Sequence, residues 1–209
     1  IAGQNNIAIA EGNIGGKKNS RITRLTMSDP VTSQTKYYVL IYDCGTDSSV
    51  ASDISDQYTA LIQNGYSKII GLRDVYPTLI AEKGKLEKGL RYSLRGKDSA
   101  YIILAVMEIE AWFMAEWNHF SKVDTRLTLT AIQTALGFNP EIDDMEERPH
   151  PSEDLDNIYK CVSRSYKKKK KQVNTIVDSL DYEFLYLEVV KSVPSFGKFV
   201  SHVDDFIKL

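Results

Sequence analysis

Short continuous apolar runs alternate with longer segments that carry one apolar face along the first 120 residues. Tyr37–Tyr42, Lys68–Leu72 and Ala100–Met107 are rich in aromatic, β-branched and aliphatic side chains, which is typical of strands buried on both faces. The segments between them, Asp47–Asn64 and Ile80–Leu94, have the spacing of amphipathic helices. This strand–helix–strand order predicts a mostly parallel sheet with right-handed crossovers.

A weaker apolar pattern precedes these elements. Ile7–Ala10 predicts a short strand that ends at Glu11, and the glycine-rich stretch Gly12–Ser20 predicts a loop. Arg21–Met27 predicts a short helix, which ends before Asp29-Pro30.

The pattern changes after Asn118, where helical spacing replaces the strand-sized runs. The predicted helices are Thr125–Leu136, Asp154–Ser163, Lys167–Leu180, Tyr182–Val190 and Phe196–Ile207. We therefore predict an α/β fold with two parts. Residues 1–120 would form a small, mostly parallel sheet flanked by helices, and residues 121–209 a helical cap or subdomain.

Composition narrows the class of protein. The chain has 209 residues, of which 43% are hydrophobic, and this supports a full core. A net charge of −2 creates no general attraction for nucleic acid, so any such contact needs a local basic patch. Two cysteines, Cys44 and Cys161, form neither a disulfide framework nor a zinc pattern, which favours a reducing cytoplasm. No apolar run has the length of a membrane span.

Acidic residues follow three consecutive predicted strands. Asp43 follows the first, Asp74 the second, and Glu108 and Glu110 the third. Ligands of open parallel sheets bind outside the carboxyl ends of the strands, and carboxylate oxygens suit hard divalent cations such as Mg²⁺. Phosphodiester cleavage assisted by one or two metal ions is the chemistry that this pattern favours. The alternative to a metal site is that these acidic residues cap the helices that follow the strands, above all Asp47 and Glu110.

Two basic segments are candidates for contacts with phosphate. Lys17 and Lys18 close the glycine-rich stretch, but its spacing does not match a nucleotide-binding phosphate loop, so an ATPase is excluded. A flexible surface loop is the alternative there. Lys167–Lys171 is a run of five lysines within a predicted helix, and it fits either nonspecific contact with a nucleic-acid backbone or a solvated helix face.

The segment MEIEAWFMAEW, which begins at Met107, resembles a bacterial Toprim-like family of uncharacterised proteins. Members of that family have a strand followed by E-[IL]-E-A-W and an apolar helix. VLIYDCGTD is similar to the family's strand that ends in a D-x-D-x-D turn, with Asp43 at the first position, Gly45 at the second and Asp47 at the third. GGKKNSRITRL and SFGKFVSHVDDF are similar to its Gly-Lys-Ser segment and its C-terminal helix. These similarities span most of the chain.

The resemblance implies a Toprim fold that binds Mg²⁺ (or Mn²⁺) through acidic residues. Toprim proteins include topoisomerases, primases and the nucleases of overcoming-lysogenization-defect systems, whose partner is an ATPase. The expected function is a metal-dependent nuclease acting on nucleic acid, with DNA favoured, in a phage-defence or mobile-element system. The metal ligands would be Asp43, Asp47, Asp74, Glu108 and Glu110, and the phosphate contacts Lys17, Lys18, Lys167, Lys168 and Lys169.

Two features of the sequence keep a second interpretation open. Gly45 stands where the turn has its middle aspartate, so a catalytically inactive module that regulates a partner complex is the alternative. The family's first-strand glutamate, a catalytic residue, is followed by glycine. Glu11-Gly12 has that form, although its distance from Asp43 is short and the equivalent strand is alternatively expected upstream of Ile1.

Overall fold

The computed structural model describes residues 6–17 and 20–208. Contacts within the chain define two units that interleave along the sequence. The first contains the described residues of Ile1–Arg73, Lys88–Ile102 and Asp205–Leu209, and the second contains Asp74–Glu87 and Ile103–Asp204. The boundary near residue 120 stays a prediction.

A three-stranded sheet in the first unit is built around strand β1 (Ile7–Lys17). Strand β2 (Ser20–Ser28) pairs with it antiparallel and strand β3 (Tyr37–Asp43) pairs with it parallel, so β1 is central. Ala8, Ala10 and Ile14 on β1 are buried, whereas Glu11 and Asn13, one residue out of phase, are exposed. This alternation is what a strand with one covered face requires.

The helix predicted at Arg21–Met27 is wrong, because this segment is strand β2. Its apolar residues, Ile22, Leu25 and Met27, begin with a spacing of three, which imitates a helical period. All three side chains are exposed, so no buried face imposes a period of two on this strand. The loop predicted at Gly12–Ser20 is also wrong as far as Lys17, since that stretch continues β1.

Gly12 lies where the chain leaves no room for a side chain. A Cβ atom added there would lie 2.6 Å from the carbonyl oxygen of Arg24 and 2.7 Å from the ring of Tyr42. The glycine therefore lets both neighbouring strands of β1 approach it closely.

The remaining strands form a second, two-stranded sheet of β4 (Ile69–Asp74) and β5 (Ala100–Ala105). The amide of Ile69 donates to the carbonyl of Ser99, and the amide of Val75 donates to that of Ala105. Both bonds join residues 30 apart, so the two strands run parallel. The α/β class is thus confirmed, but the prediction of one mostly parallel sheet is corrected: the described strands form two sheets, and β2 is antiparallel.

Helices connect these strands. Helix α1 (Val50–Gln63) follows a short 3-10 turn at Asp47–Ser49 and places Val50 and Ile54 in a small core with Leu94. Helix α2 (Lys83–Ser93) lies between β4 and β5 in the sequence. These positions agree with the sequence pattern to within a few residues.

The described chain is helical beyond β5, mostly within the second unit. The helices are α3 (Glu110–Ala115), α4 (Asn118–Val123), α5 (Leu129–Leu136), α6 (Pro151–Lys160), α7 (Lys170–Ser179), α8 (Tyr182–Phe184), α9 (Val190–Ser192) and α10 (Pro194–Ile207), and a π-helical segment joins α8 to α9. The last residues of α10, from Asp205, belong to the first unit. Trp112 fastens α3 to α10, since its indole N–H donates to the Oγ of Ser195 at 2.7 Å and its ring packs on Phe196 and Phe199. Among the described residues, none of the helices has the length and apolar content that crossing a bilayer demands.

Candidate metal centre

Three carboxylates meet at the ends of β4 and β5 in the second unit. Each of Asp74, Glu108 and Glu110 offers an oxygen, and these oxygens all lie within 4.8 Å of one another. Asp74 is the last residue of β4, and Glu110 is the first residue of α3. The carboxyl ends of parallel strands therefore place acidic residues together here, as the sequence pattern predicted.

The turn after β5 orients the two glutamates. Met107 has a φ of 58°, in the left-handed region that non-glycine residues seldom adopt. The amide of Tyr76 donates to the carbonyl of Met107 at 2.8 Å, and the amide of Ile109 donates to Oδ1 of Asp74 at 3.0 Å. Backbone strain of this kind persists only where surrounding contacts enforce it. Asp74 thus supports the turn from which Glu108 and Glu110 project.

Glu108 accepts hydrogen bonds from the N-terminus of helix α6. Its Oε2 accepts from the amide of Ser152 and its Oε1 from the hydroxyl of the same residue, each at 2.8 Å. Burial acts to raise the pKa of Glu108, but the two bonds from Ser152 and the ammonium group of Lys168 outweigh it, so the pKa lies below its ordinary value. Glu108 is therefore a carboxylate anion at neutral pH.

Glu110 is almost completely buried, with 1% of its surface exposed. Its Oε1 accepts from the hydroxyl of Tyr166 at 2.7 Å, and its Oε2 lies 3.0 Å from the Nζ of Lys168. Burial raises the pKa of Tyr166, and the negative charge of Glu110 raises it further, so Tyr166 stays a hydrogen-bond donor.

Lys168 bridges the two glutamates. Its Nζ lies 3.0 Å from Oε1 of Glu108 and 3.0 Å from Oε2 of Glu110. Burial acts to lower the pKa of Lys168, but the two carboxylates prevail and raise it. Lys168 therefore supplies one positive charge that the two glutamates share.

The donor set fits a hard cation. Three carboxylates offer only oxygen, without the imidazole or thiolate ligands that zinc and softer metals favour. Mg²⁺ and Mn²⁺ accept such ligands and keep further positions for water or phosphate. The cluster could therefore hold a metal ion.

A cavity of about 210 Å³ opens beside the cluster. It is lined by Ser152, Glu153, Asp156, Tyr166, Lys167 and Lys168. Asp156 accepts from Lys160 at 2.8 Å and from Lys167 at 2.6 Å. Burial acts to raise the pKa of Asp156, but these ammonium groups and the amide of Tyr166 lower it to about 2. The cavity wall thus presents two lysines, two hydroxyl groups and two acidic residues next to the carboxylate cluster.

The other predicted acidic residues belong to the first unit. Asp43 ends β3, where its Oδ1 accepts from the amide of Gly45 at 2.7 Å. Asp47 begins the 3-10 turn before α1, and Glu11 lies exposed in the middle of β1. None of them belongs to the described cluster of Asp74, Glu108 and Glu110. Their role as metal ligands or catalytic residues stays a prediction.

The structure describes the side chains of three of the five predicted lysines. Lys18 lies outside the described residues, and only the backbone of Lys17 is described. The helix predicted through the lysine run begins at Lys170, so Lys167–Lys169 precede α7. Lys167 pairs with Asp156 and Lys168 with the two glutamates, whereas Lys169 lies exposed beside them.

Sequence reasoning missed two residues of the site, Ser152 and Tyr166. The sequence does indicate the role of Ser152, because His150-Pro151 marks the start of a helix, and the free amides there attract carboxylates. No local pattern indicates the role of Tyr166, because the hydrogen bond from its hydroxyl to Glu110 spans 56 residues.

Comparison of the chain with protein-family models, with curated proteins and with solved structures found no match.

Proposed function

We propose that this protein is a Toprim-like, Mg²⁺- or Mn²⁺-dependent nuclease that hydrolyses phosphodiester bonds, with DNA as the favoured substrate. One observation carries the proposal: Asp74, Glu108 and Glu110 converge at the ends of two parallel strands, beside a cavity whose lining includes Lys167 and Lys168. The E-I-E-A-W resemblance supports it from the sequence, since its two glutamates are Glu108 and Glu110.

Each side chain has a distinct part in this proposal. Asp74, Glu108 and Glu110 would hold a divalent ion, which would supply Lewis acidity and charge neutralisation for phosphate chemistry. Ser152 fixes Glu108 through both of its oxygens, and Tyr166 fixes Glu110, so neither carboxylate needs to reorganise. Lys168, which lines the cavity, would contact a phosphate of the substrate.

The resemblance also supports a biological setting. We propose that the nuclease works with an ATPase partner in a phage-defence or mobile-element system. Lys169 and the lysines that begin α7 are exposed and provide a local basic segment for the backbone of a nucleic acid.

A metal titration coupled to a cleavage assay tests the proposal. Wild-type protein is expected to bind Mn²⁺ in calorimetry and to cleave plasmid DNA with Mg²⁺ or Mn²⁺. Asp74→Asn and Glu108→Gln should each lower cleavage at least a hundredfold, because each removes a charge from the ion's ligands. Glu188→Gln is the matched control, since Glu188 is an exposed glutamate paired with Lys191. Equal cleavage by all four proteins would refute the assignment.

The contacts of Lys168 favour a second candidate function. Its ammonium group supplies a countercharge to Glu108 and Glu110, so these two carboxylates have a partner other than a metal ion. In this alternative the protein is a catalytically inactive module that regulates a partner complex. A folded wild-type protein that binds neither Mg²⁺ nor Mn²⁺ in calorimetry, and still binds its partner, would establish it.

A further inference from the structure

An exposed aromatic pair lies at the edge of the carboxylate cluster. The ring of Tyr76 meets the ring of His150 edge-on, with 5.9 Å between their centroids. Tyr76 is 44% exposed, and His150 is exposed as well. Large aromatic surface left in water at the rim of a site is a feature that ligands use.

Short backbone connections tie both rings to the cluster. Tyr76 follows Asp74 by two residues, and its amide donates to the carbonyl of Met107, the residue before Glu108. The intervening Val75 is completely buried, whereas Tyr76, in the turn that follows β4, is exposed. His150 precedes Ser152 by two residues, and Ser152 donates twice to Glu108.

The chemistry of the rim differs from that of the cavity. Two of the six residues that line the cavity, Lys167 and Lys168, suit phosphate, and two others are acidic. The segment that follows Asp74 instead exposes Tyr76, Leu79 and Ile80, which suit an apolar plane. A nucleotide carries both a phosphate and a planar base. Aromatic side chains bind the bases of single strands by stacking, without regard to sequence.

We propose that Tyr76 and His150 form a stacking surface for an unpaired base of the substrate strand. This inference rests on the proposed function and deepens it, because it names single-stranded nucleic acid as the preferred substrate. In a duplex each base is already stacked and paired, so a base reaches the two rings only after it is extruded from the helix.

Fluorescence anisotropy with labelled oligonucleotides tests the stacking surface. A thymidine oligomer and an oligomer of equal length with abasic positions are titrated in Ca²⁺, which limits cleavage. Tyr76→Ala is expected to weaken binding of the thymidine oligomer about tenfold and to leave binding of the abasic oligomer unchanged. Tyr76→Phe should retain wild-type affinity, because it keeps the ring. Wild-type protein should bind the single strand at least tenfold more tightly than a duplex of the same length.

Controls separate this inference from the proposed function. Tyr182→Ala removes an exposed tyrosine on α8 of the same unit and should change neither affinity, and thermal melting checks that each variant folds. If Tyr76→Ala weakens both oligomers equally or neither, or if single strand and duplex bind alike, the stacking surface is refuted even where cleavage and Mn²⁺ binding persist. Absence of Mn²⁺ binding by wild-type protein would refute the nuclease, whereas the comparison with abasic oligomers would still report on Tyr76.

Discussion

Lys168 holds a backbone conformation that lysine rarely adopts. Its φ of 52° costs about 1 kcal/mol or more, and the ion pairs with Glu108 and Glu110 offset that strain. The same residue competes with any cation for those two carboxylates. We therefore expect Lys168 to stabilise the metal-free protein and to weaken the binding of a metal ion.

Replacing Lys168 by Met should separate these two effects. The free energy of unfolding should fall by about 1–2 kcal/mol, because two buried carboxylates lose a countercharge that is itself half exposed. Affinity for Mn²⁺ should rise, so added Mn²⁺ should restore more stability to the variant than to the wild type. Urea unfolding with and without Mn²⁺ measures both. Lys169→Met is the neighbouring control, and an equal response of the two variants would contradict this account.

The sequence predicted the acidic half of this site but not its partners. Asp74, Glu108 and Glu110 each follow a predicted strand, but so does Asp43, which is not part of the described cluster. Lys168 lies 58 residues from Glu110 and was expected either to contact phosphate or to lie on a solvated helix face. The fold of the second unit decides that contact, and no local pattern encodes it.

At the scale of the elements, the hairpin of β1 and β2 shows how a strand can imitate a helix. The apolar side chains of β2 are exposed, so no buried face imposes a period of two on them. In contrast, α1 and β5 bury apolar side chains, and the sequence predicted them as a helix and a strand. The error thus falls on a strand whose apolar residues are not buried.

Gly12 offers a test of how closely these strands pack. Gly12→Ala should lower the free energy of unfolding by about 1–3 kcal/mol, because the new methyl group would overlap the carbonyl of Arg24 and the ring of Tyr42. Gly15→Ala on the same strand should change stability much less, since the structure leaves open space around its Cβ position. Chemical denaturation of both variants provides the comparison, and similar losses would contradict the packing argument.

At the scale of the whole molecule, acidic groups govern how stability depends on pH. Hydrogen bonds and ammonium groups hold the pKa of Glu108 below its ordinary value and that of Asp156 near 2. The carboxyl groups of Glu108 and Asp156 bind protons more readily in the unfolded chain than in the folded protein, so falling pH favours unfolding. The stabilisation is complete above the ordinary pKa of a carboxyl group, about 4, and is lost as the pH falls toward 2.

Thermal melting across this range tests the assignment. The melting temperature of the wild type should fall steeply between about pH 4 and pH 2. Asp156→Asn should melt below the wild type at pH 7, because Lys160 and Lys167 lose their partner. The gap between the two proteins should narrow as the pH falls through this range. A constant gap would show that Asp156 does not titrate in this way.

The interleaving of the two units has a consequence for how the protein is made. Tyr37 on β3 packs its ring on Phe206 and donates its hydroxyl to the carbonyl of Ile207, both within the first unit. A ribosome releases those partners about 170 residues after Tyr37. Likewise, Asp74 leaves the ribosome long before Glu108, Ser152 and Lys168. The contacts of Tyr37 therefore form only after Ile207 is made, and the contacts of the carboxylate cluster only after Lys168 is made.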